Sequence, residues 1–502
     1  MTLLFSLLPI VTFILLLGVC RLTGATSSFI ALLTTLAVGM SAFQFPAESI
    51  VQSLTYGSVK ALFPILFIVT TAMFSYNLLQ SNGQMEIIKK QFSQQVSERS
   101  SQVLLIAWGF SDLLESMAGF GTAEAICVSL LISLGYHPLF SATACLLGNS
   151  IMTAFGAVGT PIVVLSKETG ISTALLGVNI VWQLALFTFL FPLVLLIIAT
   201  PRWKAIPEHL QLALLVGIAS LTGQVLAVTY IGVETPSMAS SLCSIGMILL
   251  YNRFKNKKEP IATTPMSSPT QLRKALRAWS VYLIILILIL ITSPLFPSIR
   301  HLLENHCSSH LIFTLGTQTV SYDIHWLLQS GFLIGIGTLA GGRIQGIPLR
   351  QMLFLFYHTV LQLRNVFITL ICLISLSTIM NYSGMIGCIA NALAAATGSF
   401  YPFFSPLIGC LGTFITGSGT SANILFGRLQ ADVASQLHVS PDWLAAGNMS
   451  GTTAGKIFSP QSVAIVTSHP TLKGKEGLVM KQTFPYALIY VCLIGVIVYA
   501  FC

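Results

Sequence analysis

Two carboxylates three residues apart, Asp112 and Glu115, stand just before a Gly119-Phe120-Gly121-Thr122 run, and a third, Glu124, follows it. The chain around them is apolar, and ionisable side chains in such surroundings are costly and mark functional positions by default. A spacing of three puts Asp112 and Glu115 on one helix face. A carboxyl withdrawn from water can bind or release a proton near neutrality. Glu115 is therefore the first choice for a proton carrier, with Asp112 and Glu124 as the other proton-coupling candidates. For those two, a place at the water interface or a basic partner is an equal reading.

A second set of groups suits an anion. Gly417-Ser418-Gly419-Thr420-Ser421-Ala422-Asn423 offers hydroxyl and amide donors, and Lys456 follows Gly455 shortly before a Ser459-Pro460-Gln461-Ser462 turn. Where glycines break a helix at membrane depth, the exposed helix ends add partial charges, N–H toward anions and C=O toward cations. The expected substrate-binding residues are Gly119, Gly121, Thr122, Asn149, Gly417, Ser418, Thr420, Ser421, Asn423, Asn448, Lys456 and Ser459. Tight helix packing through small residues is the competing reading for the glycines, and a structural counter-ion is the competing one for Lys456. The sequence holds no HExxH, no GxSxG and no Cys or His at metal-ligand spacing, so no catalytic residues, metal or cofactor are expected.

The elements that must hold these groups are membrane helices. The chain has 502 residues, 54% hydrophobic and 8% charged, against about 25% charged in a soluble protein. Apolar runs of spanning length, about 20 residues, recur from end to end: 2–20, 24–45, 61–81, 171–199, 208–231, 237–251, 279–297, 326–342, 351–380 and 484–502. Thr2 to Cys20 has no basic residue before it and no cleavage site after it, so it reads as a retained span. Two further regions, 103–165 and 401–470, are apolar but broken by Gly, Pro, Asn, Ser and Thr. The net charge of +9 sits in short segments between spans, which is a topology signal rather than a basic face for nucleic acid. It places 252–278, with Arg253, Lys255, Lys257, Lys258, Arg273, Lys274 and Arg277, in the cytoplasm and 298–325 outside. The expected organisation is a first transmembrane half, 1–251, a basic cytoplasmic loop, 252–278, and a second half, 279–502.

The broken regions match each other. Gly121 precedes Asn149 by 28 residues and Gly419 precedes Asn448 by 29; each Asn is followed by Gly at seven and Pro at twelve. The sidedness count starts the first region in the cytoplasm and the second outside, which is an inverted-topology repeat of the kind found in secondary transporters. The expectation is an all-α polytopic protein of roughly 12 spans, with a re-entrant hairpin and a broken helix in each repeat meeting near the midplane. Backbone without helical hydrogen bonds is tolerated there only where it lines a cavity or is buried in protein.

The residues resemble the lactate permease family, bacterial symporters of lactate or glycolate with protons. Leu114-Glu115 through Ala118-Gly119-Phe120-Gly121 is similar to that family's Leu-Glu-Gly-Ala-Ala-Gly-Phe-Gly. Ala154-Phe155-Gly156-Ala157 with Gly159 and Pro161 resembles its Ala-Phe-Gly-Ala-Met-Gly-Ile-Pro. Asn381-Tyr382-Ser383-Gly384, Phe403-Phe404-Ser405-Pro406, Thr416-Gly417-Ser418, Gly455-Lys456 and Ser459-Pro460-Gln461-Ser462 carry the rest. The chain departs from the pattern at Gly419, where the family resembles Thr-Gly-Ser-Asp-Thr-Ser-Ser-Asn, and at Ser116, Met117, Ala123 and Glu124. The resemblance implies a carrier in the bacterial inner membrane that takes a small 2-hydroxy monocarboxylate with protons. If the missing Asp serves the proton or the substrate, coupling or specificity differs here, and Glu124 is the residue expected to compensate. A sodium-coupled or differently specific organic-anion carrier, and an ion channel, are the alternatives. The expected partners are the anion, protons and the lipid bilayer, with no nucleic acid and with a homo-oligomer left open.

Overall fold

The computed structural model describes residues 2–20, 22–93, 96, 98–117, 122–200, 206–255, 269–293, 295–306, 308–315, 318–467 and 469–502. Nine helical stretches among these residues are long and apolar enough to cross a membrane, from Gly24–Ser41 to Glu476–Ala500. In hydrocarbon each backbone N–H and C=O must be satisfied within its own segment, and an open chain achieves that only as helix. Large apolar side chains such as Phe29, Trp182, Ile218 and Ile489 are more than half exposed, as on a surface solvated by lipid.

Three expectations are corrected in detail. The span expected at 351–380 is two helices, Leu349–Gln362 and Arg364–Tyr382. The polar Gln362-Leu363-Arg364-Asn365 stretch interrupts the apolar run, and Asn77 Nδ2 holds the corner by donating to Thr359 and Gln362 at 3.0 Å each. Ahead of the span expected at 61–81 lies a further helix, Ala47–Lys60, which passes into Phe67–Ser81 across extended backbone at Phe63 (φ −128°, ψ 116°). The segment 298–325 is not a plain loop: a helix, Pro297–His306, leads into an antiparallel β-hairpin of Ser308–Leu315 and Gln318–His325.

Distant parts of the chain interlock. Gly24–Ser41 and Ala47–Lys60 both pack on Arg364–Tyr382, while Phe67–Ser81 packs on Ser330–Ile344. A Cβ at Gly57 would lie 2.6 Å from the Ser375 Cα, so those two helices touch backbone to backbone.

Each broken region forms a helical pair followed by an interrupted helix. The first pair runs from Leu104–Phe110, wound as π-helix, through Ser111–Met117 and, beyond residues 118–121, Thr122–Ser133. Its interrupted helix comprises Pro138–Ser150, a 3₁₀ turn at Ile151–Phe155 and Gly156–Thr169. The second pair is Tyr401–Thr416 and Gly419–Leu437, and its interrupted helix is Pro441–Phe458 with Pro460–Val466. The regions exchange contacts: Gly156–Thr169 packs on Gly419–Leu437, and Pro460–Val466 packs on Thr122–Ser133. Tyr401–Thr416 and Pro441–Phe458 approach so closely that a Cβ at Gly409 or Gly451 would lie 2.0 or 1.9 Å from a facing carbonyl oxygen. Small residues serve such contacts in membranes, where helix association rests on van der Waals packing.

Candidate functional site

Both interruptions are built into the backbone. In the first, Ala157, Val158 and Gly159 all take left-handed φ of 43°, 56° and 72°. That region is sterically poor for a β-branched residue and is found mostly where surrounding structure and function enforce it. In the second, Ser459 turns extended and caps the next helix, its Oγ accepting from Ser462 N at 3.2 Å. The second pair turns at Gly417, whose φ of 70° suits glycine, and Ser418 Oγ caps the following helix by accepting from Ser421 N at 3.3 Å.

These interruptions frame a cavity of about 320 Å³, room for a small anion and several waters at about 30 Å³ each. Glu115 lines it from the first pair, Thr153, Gly156, Ala157 and Thr160 from the first interruption, and Gly417 to Ser421 from the turn of the second pair. Thr452 and Lys456 face it from Pro441–Phe458, and Gln461 from the next helix. The remaining wall comes from the interlocked helices: Thr23, Gly24, Ala25, Val69, Asn365 and Thr369 among others. None of the described lining residues is aromatic. Among the described residues the lining thus offers one carboxyl, one ammonium and a ring of hydroxyls.

Glu115 is 4% exposed, and Gly156 makes room for it, since a Cβ there would lie 3.0 Å from Glu115 Oε1. Asn149 stands behind the wall. Its Nδ2 donates to Glu115 Oε2 at 3.3 Å and to Glu124 Oε1 at 3.4 Å, while its Oδ1 accepts from Ser111 Oγ at 3.2 Å. One amide therefore ties two acids together. Asp112 is fully buried and, among the described residues, neither carboxyl oxygen has a hydrogen-bond partner. Lys456 is 8% exposed and lies in the last turn of its helix. Among the described residues no salt bridge holds it, and Glu124 is within electrostatic reach.

The expected site residues divide by position. Glu115, Gly417, Ser418, Thr420, Ser421 and Lys456 line the cavity. Asn149, Glu124 and Asp112 form a buried layer behind Glu115. Asn423 and Asn448 brace rather than line: Asn423 Nδ2 donates to the Pro161 carbonyl at 2.9 Å, and Asn448 Nδ2 donates to Asn423 Oδ1 at 2.9 Å. Ser459 is a buried cap. Gly119 and Gly121 lie outside the described residues, as does the side chain of Thr122. The residues missed were Thr153, Thr160, Thr452 and Gln461, which sit inside the two broken regions already singled out, and Thr23, Asn365 and Thr369, which no local motif flags.

The sequence profile of the L-lactate permease family matches residues 2–502. The chain is 35% identical to the L-lactate permease of Streptococcus iniae, over 88% of this chain and 92% of that one. It is 32% identical to the glycolate permease GlcA of Escherichia coli K12 and 31% identical to the L-lactate permease of Bacillus subtilis, each over 98% of this chain and 94% of the relative. In fold it is similar to the crystal structure of the YdaH transporter of Alcanivorax borkumensis, with a TM-score of 0.51 at 13% identity, covering 89% of this chain and 87% of that one. The chain belongs to the L-lactate permease family and is a multi-pass protein of a bacterial membrane.

Proposed function

We propose that this protein carries a small 2-hydroxy monocarboxylate, lactate or glycolate, together with protons. The observation that carries the reading is that Glu115 and Lys456 face one hydroxyl-lined cavity between two helix interruptions. Lys456 holds the carboxylate, and the threonine and serine hydroxyls around it serve the substrate's own hydroxyl and remaining lone pairs. Glu115 carries the proton, Asn149 links it to Glu124, and Asp112 behind it, unpartnered among the described residues, is a reserve acid. The relatives, L-lactate and glycolate permeases, favour the same substrate class.

The matching order of the two broken regions, a helical pair followed by an interrupted helix in each, supports their descent from one repeated unit inserted in opposite directions. It also supports a division into halves at the basic 252–278 loop. Inverted repeats of this kind alternate access around a fixed central site.

The test is uptake of radiolabelled L-lactate and glycolate into proteoliposomes with an imposed proton gradient and no sodium. The expected result is accumulation against a gradient, abolished by a protonophore. Accumulation that needs sodium, or flux that only equilibrates the anion, overturns the coupling.

A further inference from the structure

Outside the cavity, the described residues hold one deeply buried ion pair. Lys60 Nζ lies 2.8 Å from Glu168 Oε1, with the two side chains 6% and 4% exposed. Glu168 Oε2 accepts from Ser377 Oγ at 2.8 Å, and Lys60 stands over the Tyr56 ring at 5.4 Å. Such a pair is weak evidence for stability, because desolvating both charges offsets their attraction. Its place in the fold points to another use.

Glu168 lies seven residues beyond Pro161, and Ser377 seven beyond Leu370, on helices whose earlier turns line the cavity. At 1.5 Å per residue both sit about 10 Å past the cavity, on one common level. Lys60 reaches the same level from just before the extended break at Phe63, beyond which Val69 lines the cavity. The next level is aromatic. Tyr56 meets Phe313 and Tyr322 of the β-hairpin edge to face, at 5.1 and 5.8 Å between centroids. The order is cavity, ion pair, aromatic layer, β-hairpin.

The pair also crosses a seam. Lys60 and Ser377 belong to helices held backbone to backbone at Gly57 and Ser375, which makes them one packed body. Glu168 ends the helix Gly156–Thr169, whose first turn carries the interruption and whose flank packs on the second pair. Opening a path from the hairpin to the cavity requires these two bodies to part between Lys60 and Glu168.

We propose that the Lys60–Glu168 ion pair is the gate of the cavity on the hairpin side, closed in this structure and broken when that side opens. The proposal rests on the cavity being the transport site, and its test reads access rather than uptake. Thr369, in the cavity wall, is replaced by Cys, and its alkylation by a membrane-impermeant maleimide is followed by peptide mass spectrometry. Reagent is added from the hairpin face, which Ile312→Cys, 74% exposed in its parent residue, identifies. Removing one partner alone strands a buried charge and endangers folding, so the neutral double variant Lys60→Met/Glu168→Gln is the main probe.

In the double variant the thiol introduced by Thr369→Cys is expected to label at least tenfold faster than in its parent from the hairpin face, and no faster from the opposite face. The exchanged pair Lys60→Glu/Glu168→Lys restores slow labelling. Labelling of the double variant within twofold of the parent overturns the gate, as does equal acceleration from both faces. If protection holds as predicted but lactate uptake is absent, the substrate reading fails and the gate stands.

Discussion

Replacing Lys456 by Met keeps the side-chain stem and removes the charge. Lys456 lines the cavity, is 8% exposed, and gives up no salt bridge among the described residues. At 4 Å and an effective dielectric constant of 20, an ammonium and a carboxylate attract by about 4 kcal/mol. Binding also strips water from both groups, so the net value is that of a hydrogen bond to a charged group, about 1.5–3 kcal/mol. At 1.4 kcal/mol per decade this is a rise of roughly 10- to 150-fold in the half-saturating lactate concentration. The assay is initial-rate uptake into proteoliposomes across a wide range of lactate, beside a thermal melt of the purified protein. The melt should be unchanged or improved, because the variant removes a buried charge that has no ion-pair partner among the described residues. A half-saturating concentration within twofold of the parent, in protein that is folded and inserted, refutes the assignment of the anion to Lys456.

Glu115→Gln should abolish protonophore-sensitive accumulation while exchange of labelled for unlabelled lactate continues; persistent accumulation removes Glu115 from the proton path. Glu124→Gln tests the layer behind it. If Asn149 links the two acids functionally, coupling is lost there too, whereas a buttressing Glu124 leaves it intact. Gly417→Ala forces a Cβ into left-handed backbone, at about 1–2 kcal/mol, and to within 1.9 Å of Gln461 Oε1. The variant should melt lower and transport more slowly, and adding Gln461→Ala should recover part of both; no change in either measurement refutes the crowding. Outside the membrane, His310 Nδ1 lies 2.6 Å from Asp323 Oδ1 and its hydrogen bond holds the Asp323 carboxyl below the usual 3.8. A lowered folded value contributes stability above pH 3.8 that is lost as pH falls below it. Pepsin cleavage of the hairpin should therefore quicken below that pH in the parent, while His310→Ala is already faster at higher pH and flatter; matching profiles refute the pairing.

The all-helical membrane class was legible because length and apolarity set it, whereas the breaks at Phe63 and Gln362 inside expected spans were not. Legible too were Glu115, Lys456 and the Gly417–Ser421 turn, whose residue types are out of place in hydrocarbon. Asn423 and Asn448 read as ligands because a buried amide looks the same from sequence whether it meets substrate or a carbonyl oxygen. Thr23, Asn365 and Thr369 were invisible because only the packing of Gly24–Ser41 on Arg364–Tyr382 brings them to the cavity. Lys60 and Glu168 fell at the edges of the expected spans at 61 and 171, where charges ordinarily meet water. The hairpin does carry a local signal: after Gly316-Thr317 the run Thr319-Val320-Ser321-Tyr322-Asp323-Ile324-His325 alternates polar and apolar, which is strand periodicity.

Lys456 sits in the last turn of Pro441–Phe458, where that helix's unsatisfied carbonyls end in roughly half a negative charge. That partial charge adds to the field of Glu124, which stands within electrostatic reach of the Lys456 ammonium. Among the described residues an arriving anion has no salt bridge to displace from Lys456, and a departing one leaves the ammonium against a partial negative charge. Such a site trades tight grip for ready release, and a carrier must load and unload its cargo at every cycle.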